Sequence, residues 1–557
     1  MLSYQAPRFD YVKSPDETAL VPARHQVVII GAGPVGMTAA IDLALRGIRV
    51  LVLEDDETVS ESSRAICHSR RTLEIWDRLG AADIMMKKGL TWATGRVFFQ
   101  DAELFTFDLA TDDRVKYPPF INLQQYYVED YLIQRAMELP NIELRWRNTV
   151  VGVDPGDTTV DLHVKTPSGR YAITADWVLA IDGARSPLRS MIGLSCVGYR
   201  FADSFLNTVV RIHADIARER WFWFDPSFAP NGTALLHQLP DGLYRIDIGL
   251  QPDANVEAEQ DPTRVRQRLS EMLGDVEFDV EWMSTYVVRC ERLDQFRHGR
   301  IIFAGDSAHQ VSPYGARGGN SGIQDVDNLC WKLTAVIEGH APEKLLDTYD
   351  EERVAAAQEN IEIAAGTVNF IAPPDEEARK RRDATLRLAV TSKEARADVD
   401  SGRLSTPSTY LTSSLNTPDT DIVDPVLRPG TPAIDAPVEG PGYQWLLEKA
   451  RGSFYGLYFT DGKLSADVAK DLMDLQHANP AINILVVSPR ELSSPLDLEV
   501  AVDASGEAAH RYLAQPGTFY LLRPDQHVCA RWRHFSPDHV RDAQRRALAL
   551  PYPEDTE

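Results

Sequence analysis

The chain has 557 residues, of which 44% are hydrophobic, 25% charged and 9% aromatic. This ordinary globular composition excludes collagen-like, coiled-coil and wholly disordered chains and predicts about three domains. A formal net charge of −24 disfavours tight binding to a polyphosphate, so nucleic acid is not an expected partner. The cysteines Cys67, Cys196, Cys290, Cys330 and Cys529 are scattered and never form a CxxC, which argues against a disulfide framework and against a zinc or other metal site. No uncharged apolar run reaches the roughly 18 residues of a membrane span, and the chain reads as a cytoplasmic protein without membrane contact.

In chain order, Val27-Val28-Ile29-Ile30 is an apolar run that ends in Gly31-Ala32-Gly33-Pro34-Val35-Gly36, then a helical pattern, then a second run, Val50-Leu51-Val52-Leu53, closed by Glu54. This is a βαβ unit with a dinucleotide fingerprint. The first glycine permits the tight turn, the second lets the backbone approach a pyrophosphate, and the third lets helix and strand pack closely. Glu54, 18 residues after the last glycine, can accept from a ribose hydroxyl. By itself the fingerprint leaves NAD and FAD open.

Two later acids also follow apolar runs. Asp182-Gly183 comes after Trp177 to Ile181, and Gly305-Asp306 after Ile301 to Ala304. Acids at strand ends mark the crevice where such sheets bind ligands, although capping of a following helix is the competing reading. Between them, from about Tyr199 to Arg300, alternation with turn signals predicts an inserted antiparallel sheet. His237, Gln238, Tyr244 and Arg245 are its candidate substrate-pocket residues. After Asp306, the segment Pro313-Tyr314-Gly315-Ala316-Arg317-Gly318-Gly319-Asn320 offers main chain that can lie against a flat ring and opens a helix. Residues 401–425 have a Ser, Thr, Pro and Asp linker composition, and 426–557 alternate strand and helix text as a closing α/β domain.

The GxGxxG at Gly31, the acid at Asp182 and the acid at Asp306, in that order, resemble the three motifs of the single-component FAD-dependent aromatic hydroxylases. Arg71-Thr72-Leu73-Glu74-Ile75 and Asn328-Leu329-Cys330-Trp331 are similar to the 3-(3-hydroxyphenyl)propionate hydroxylase branch. Leu522-Arg523-Pro524-Asp525-Gln526-His527-Val528 is similar to the C-terminal thioredoxin-like domain of phenol hydroxylases. The resemblance implies an α/β fold: a Rossmann-type FAD-binding domain (1–198 and 299–400), an inserted substrate sheet (199–298), the linker, and a thioredoxin-like domain without redox cysteines that assembles a homodimer.

It also implies roles. Gly31, Gly33, Pro34, Val35 and Gly36 would hold the pyrophosphate, Glu54 the ribose, and Arg64 with Gln125 the phosphate and ribityl regions, Gln124 being the competing register. Asp182 and Gly183 would lie near FAD and a transient nicotinamide, Gly305 and Asp306 on the ribitol. Gly318, Gly319 and Asn320 would face the isoalloxazine, with Pro313 on the oxygen-reacting side and Tyr314 a candidate phenol-activating group. NADH or NADPH would reduce FAD, and O₂ would be delivered to a small phenolic substrate through a flavin C4a-hydroperoxide. An FAD reductase of the same fold without oxygen insertion is the alternative. One departure stands out: many members carry Gly-Gln-Gly where this chain has Ala316-Arg317-Gly318. His309, next to the second acid, could be a base or a satisfied structural histidine.

Overall fold

Three segments far apart in sequence follow neighbouring strands of one sheet. In the computed structural model, which describes residues 4–60, 65–109, 114–251, 254–399, 404–422, 424–492 and 497–551, Ala23–Ile30 lies between Val50–Leu53 and Gly169–Ala180, parallel to both. Ile301–Phe303 extends the sheet beyond Gly169–Ala180, again in parallel. Val27 to Ile30, Val50 to Leu53 and Ile301 to Phe303 are buried without alternation, as strands covered on both faces must be. Parallel strands end at a common edge, so the turns that begin at Gly31, Asp182 and Gly305 meet there. Main-chain bonds tie the strand ends together: Gly31 N–H donates to Leu53 O (2.9 Å) and Ile181 N–H to Ile30 O (2.9 Å).

The inserted sheet has eight strands. Its body, Val197–Ile212, Glu219–Phe224, Thr233–Leu239, Leu243–Gly249 and Phe278–Arg292, is antiparallel. The hairpin of Thr94–Phe99 and Ala102–Asp108 joins it from outside the 199–298 segment, with Thr94–Phe99 parallel to Glu219–Phe224. Pairing between strands so distant in sequence leaves no local trace, which is why the sequence boundary misses it. Alternation works as read elsewhere: Phe222 and Phe224 pack toward Tyr314 on one face, Trp223 against Phe98 on the other.

A third sheet closes the chain. Phe454–Phe459, Ile482–Ser488 and Glu499–Val502 run parallel, and Phe519–Leu522 and Val528–Trp532 continue antiparallel. Helices Ala466–Gln476 and Pro537–Ala547 cover one face, where Trp331 from outside this unit also packs. Ala508 and Tyr512 belong to the core on the other face. The stretch read as a linker is packed from Leu404 to Ile422: Tyr410, Leu415 and Ile422 are buried, and Thr417 N–H donates to Cys529 O (2.8 Å). Its hydroxyls satisfy buried groups instead of water. Ser413 Oγ, for example, donates to Glu352 (2.6 Å).

Glu352 is the centre of a buried charge cluster. It accepts from Lys332 Nζ (2.7 Å), Asn328 Nδ2 (2.6 Å) and the Arg523 guanidinium. Burial alone would raise its carboxyl, but Arg523 and then Lys332 hold it down at about 2, below the ordinary 4.5. A depressed carboxylate contributes stability above its unfolded value that is lost as pH falls toward the folded one. The urea midpoint of unfolding should therefore decline as pH drops from 4.5 to 2. Glu352→Gln should flatten that decline while costing about 3–5 kcal/mol at neutral pH, because two cations stay buried without it.

Candidate functional site: a dinucleotide cradle opening onto a cationic sheet

A cavity of about 350 Å³ lies where the parallel-strand edge meets the inserted sheet. Gly31, at φ +105°, has no room for a side chain: a Cβ would stand 2.4 Å from Ile181 O, and one on Gly36 would stand 2.0 Å from Gly31 O. A Cβ on Gly33 would meet nothing within 4 Å. So two glycines fold the turn tightly and the third leaves an open approach along the cavity wall. Gly33 also begins helix Pro34–Leu45 without any side-chain cap, which leaves first-turn N–H groups for an anion. Pro34, at the first helical position, has no N–H to leave unsatisfied, and it lines the cavity with Val35.

Glu54 sits behind this turn, its Oε2 accepting from Ala32 N–H at 2.6 Å. Burial, with Asp55 beside it, pushes its carboxyl up to about 8. Gln125 lines the cavity, accepts from Ala65 N–H (3.1 Å) and donates to Glu129 (2.8 Å). Gln124 instead donates to Pro240 O of the inserted sheet (3.1 Å), so Gln125 is the register that faces the site. Arg64 lies outside the described residues.

Asp182 uses Oδ2 to accept from Leu188 N–H (3.0 Å), capping the short helix Pro187–Met191, while its Oδ1 is buried without a protein partner. The bland role and an available acceptor coexist in one carboxylate. Gly183 lines the cavity at φ +78°. Asp306 is exposed into the cavity it lines although Gly305 and Ser307 on either side are buried. Gly305, at φ +64°, packs on Val35. His309 is fully buried, with Nε2 2.7 Å from Asp325 Oδ2 and Nδ1 without a protein partner; it pairs with Asp325 and does not line the cavity.

Gly318 and Gly319 line the cavity at the start of helix Gly318–Ile337. Asn320 lines it too, but its side chain is spent on bracing: Oδ1 accepts from Ser69 N–H (2.9 Å) and Thr72 Oγ1 (2.7 Å), and Nδ2 donates to Cys67 O (3.0 Å). Ala316 takes the left-handed conformation at φ +54°. Arg317 is buried and donates to Asn360 Oδ1 (2.8 Å) and Leu404 O (3.2 Å). Pro313 and Tyr314 both line the cavity. Tyr314 is set edge-on to Phe205, its hydroxyl 3.3 Å from Thr233 Oγ1.

Across the cavity, Arg220, His237 and Arg245 form a row: Arg220 is directly opposite His237, and His237 directly opposite Arg245, on three adjacent strands. All three are buried and line the cavity. Tyr244 is not with them. Neighbouring residues of a strand point to opposite faces, and Tyr244 belongs to the core on the other side, where it accepts from Gln238 Nε2 at 3.2 Å. Asp247, two residues from Arg245, pairs with its guanidinium (2.8 and 3.0 Å), and Tyr286 reaches Asp247 at 3.3 Å. Like charges directly opposite in a sheet repel; the Asp247 carboxylate on Arg245 and a neutral middle member both relieve that repulsion. Burial first, then Arg220 and Arg245, keep His237 well below its ordinary pKa, and its Nδ1 has no protein partner. Arg220, Asp247 and Tyr286 escape the sequence reading, though alternation from Arg245 would have found Asp247.

The chain matches the family of FAD-binding domains over residues 24–364. Para-nitrophenol 4-monooxygenase of Pseudomonas sp. (strain WBC-3) is 31% identical over 66% of this chain and 92% of its own length. The 3-(3-hydroxy-phenyl)propionate/3-hydroxycinnamic acid hydroxylase of Mycolicibacterium gilvum (strain PYR-GCK) is 30% identical over 65% of this chain, and the match spans 63% of that enzyme. The flavin-dependent monooxygenase PieE, solved with FAD and substrate, shares the fold with a TM-score of 0.78 at 22% identity, covering 95% of this chain and all of that one. The family match and these relatives make this a flavoprotein monooxygenase. The chain belongs to the FAD-binding family of aromatic hydroxylases, and its cofactor is FAD.

Loss of the Asp306 carboxylate should weaken FAD retention about 10- to 150-fold, the loss of a charged hydrogen bond. Equilibrium dialysis of Asp306→Ala against free FAD measures it, and wild-type affinity would refute the role. Gly36→Ala should yield colourless protein, because its Cβ would stand 2.0 Å from Gly31 O.

Proposed function

We propose that the protein hydroxylates a small phenol that binds as its anion against the Arg220, His237 and Arg245 row, with NADH or NADPH as electron donor and O₂ as oxygen source. The row carries the reading: the Arg220 guanidinium, the Arg245 guanidinium shared with Asp247, and a neutral histidine with an unpartnered nitrogen favour a ligand that brings negative charge and accepts hydrogen bonds. Bound FAD supplies hydride acceptance and oxygen activation, the steps no side chain can perform. The chain's own residues orient the ring, exclude water and hold its oxygen ionised, which makes the ring electron-rich. Tyr314 and Pro313 form the wall between sheet and flavin. Relatives are named as a para-nitrophenol 4-monooxygenase and a 3-(3-hydroxy-phenyl)propionate/3-hydroxycinnamic acid hydroxylase, which favours oxygen insertion over a reductase.

The GxGxxG turn is committed to FAD, so the nicotinamide docks transiently, near Asp182 and the exposed Arg185. The closing α/β unit is a thioredoxin-like module without redox chemistry, since its lone Cys529 is buried, and it contributes to a homodimer. Light scattering should then give about twice 62.3 kDa. The scattered free cysteines suit the reducing cytoplasm. Among the described residues no helix is long and apolar enough to cross a membrane.

Adjacent cations favour the charged form of an acid. A chromogenic phenol such as 4-nitrophenol should therefore ionise at lower pH when bound than when free, by about one unit or more, equivalent to about 1.4 kcal/mol. Because His237 stays neutral, the binding profile should follow the ligand's own titration. Arg220→Gln should return the bound phenol toward its free value. An absorbance titration at saturating protein reads this directly, and an unshifted wild-type complex would sink the anionic-substrate reading while leaving FAD binding intact.

A further inference from the structure

The turn Arg523 to His527 belongs to the closing α/β unit, yet it is buried and runs into the flavin-side unit by three routes, two of hydrogen bonds and one through a ring stack. Arg523, Asp525, Gln526 and His527 are each at most 3% exposed.

On the first route, Arg71 donates to Asp525 O and to Gln526 Oε1 (3.2 Å). Arg71 lies in helix Arg70–Arg78, whose capping residue Ser69 and first-turn Thr72 both donate to Asn320. On the second, His527 Nε2 meets Ser408 O (3.2 Å), Ser408 N–H donates to Gln324 Oε1 (2.8 Å), and Gln324 Nε2 donates to Asn320 O (3.1 Å). The third passes through a ring stack. His527 lies on Tyr410 at 4.4 Å, and the Tyr410 hydroxyl accepts from Arg353 (3.1 Å). Arg353 donates to Asp325 (2.7 Å), which in turn accepts from Gly305 N–H (2.9 Å). Two routes end on Asn320 and the third beside Asp306, both cavity-lining.

We propose that the Arg523 to His527 turn is a positioning element of the flavin site, holding the first turn of helix Gly318–Ile337 and the Gly305-Asp306 turn in register with each other. An assembly module would need only surface contacts. Here a buried turn fixes two walls of one cavity, and none of its own residues lines that cavity. The inference rests on the cavity being the flavin site. Binding free energy is reciprocal: if the turn organises the FAD walls, FAD must in return stabilise the turn.

The experiment uses the full chain. His527→Phe keeps the ring on Tyr410 and removes the link to Ser408; Gln526→Met removes the side-chain acceptor of Arg71 and leaves its bond to Asp525 O. Each should weaken FAD binding about tenfold, the worth of one buried hydrogen bond, read by flavin fluorescence. Val540→Ala, in the same unit's core but on none of the routes, should lower the unfolding temperature and leave FAD affinity unchanged. In the wild type, adding FAD should slow hydrogen exchange in segments 404–410 and 523–528 and leave helix Ala466–Gln476 unaffected.

Unchanged affinity in both turn variants, with Asp306→Ala still weakened, would overturn the brace and keep the flavin site. Equal weakening by Val540→Ala would reduce it to general stability. If Asp306→Ala also binds normally, the flavin placement fails first. Should the variants not fold, the exchange measurement decides, and no slowing at 523–528 overturns the proposal.

Discussion

Helix Gly318–Ile337 is buried from Asn320 to Ala335 without interruption, and it carries Asp325, Asp327 and Lys332 in that stretch. A buried charge must be paired or it unfolds the site. Each of these finds its partner in a different part of the chain. Asp325 takes His309 and Arg353, Asp327 takes Arg71 and Arg78, and Lys332 takes Glu352. The helix can therefore sit in one place only, and its N-terminal turn, which forms the cavity wall, inherits that position. Such pairs contribute little net stability against an apolar alternative. What they supply here is uniqueness: an apolar helix could slide or rotate by a residue, whereas this one would strand several charges at once.

That constraint also explains why the closing unit is not an appendage. Glu352 gathers Lys332 from the cavity helix and Arg523 from the C-terminal turn onto one carboxylate, so cofactor wall and C-terminal sheet share a charge that neither could bury alone. Removing either cation leaves the other's partner short. The Ser- and Thr-rich segment threading between them supplies the remaining donors, Ser413 to Glu352 and Ser408 to Gln324, which is why a composition that resembles a flexible tether is packed.

The sequence exposed whatever is local. Gly31, Gly33 and Gly36 announce their turn because a strand precedes it and a helix follows within a few residues, and Asp182 and Asp306 announce theirs for the same reason. What depends on strand register did not show. Arg220, His237 and Arg245 come from three strands, and nothing in one sequence states that they are directly opposite one another. Tyr244 and Arg245 could not both face the pocket, and the two-residue period of a strand was enough to separate them, though not to choose between them. The hairpin Ala102–Asp108 with Thr94–Phe99 was invisible as part of the inserted sheet because its neighbour in space, Glu219–Phe224, is remote in the chain.

The departure at Ala316-Arg317 bears on how the site is held. A non-glycine residue in the left-handed region costs about 1–2 kcal/mol, and Ala316 bears that cost at φ +54°. The loop offsets it by external anchors: Ser405 N–H donates to Gly315 O (2.8 Å), and Arg317 donates to Leu404 O and Asn360. The Gly-Gln-Gly that many members of the resembling family carry at this stretch would put a glycine at that position, which takes the left-handed conformation without that cost. In this chain the same stretch is stapled to the segment that leads to Tyr410 and the Arg523 turn. Residues 315–317 are therefore an anchored wall of the cavity, and the Arg220, His237 and Arg245 row faces them from the inserted sheet.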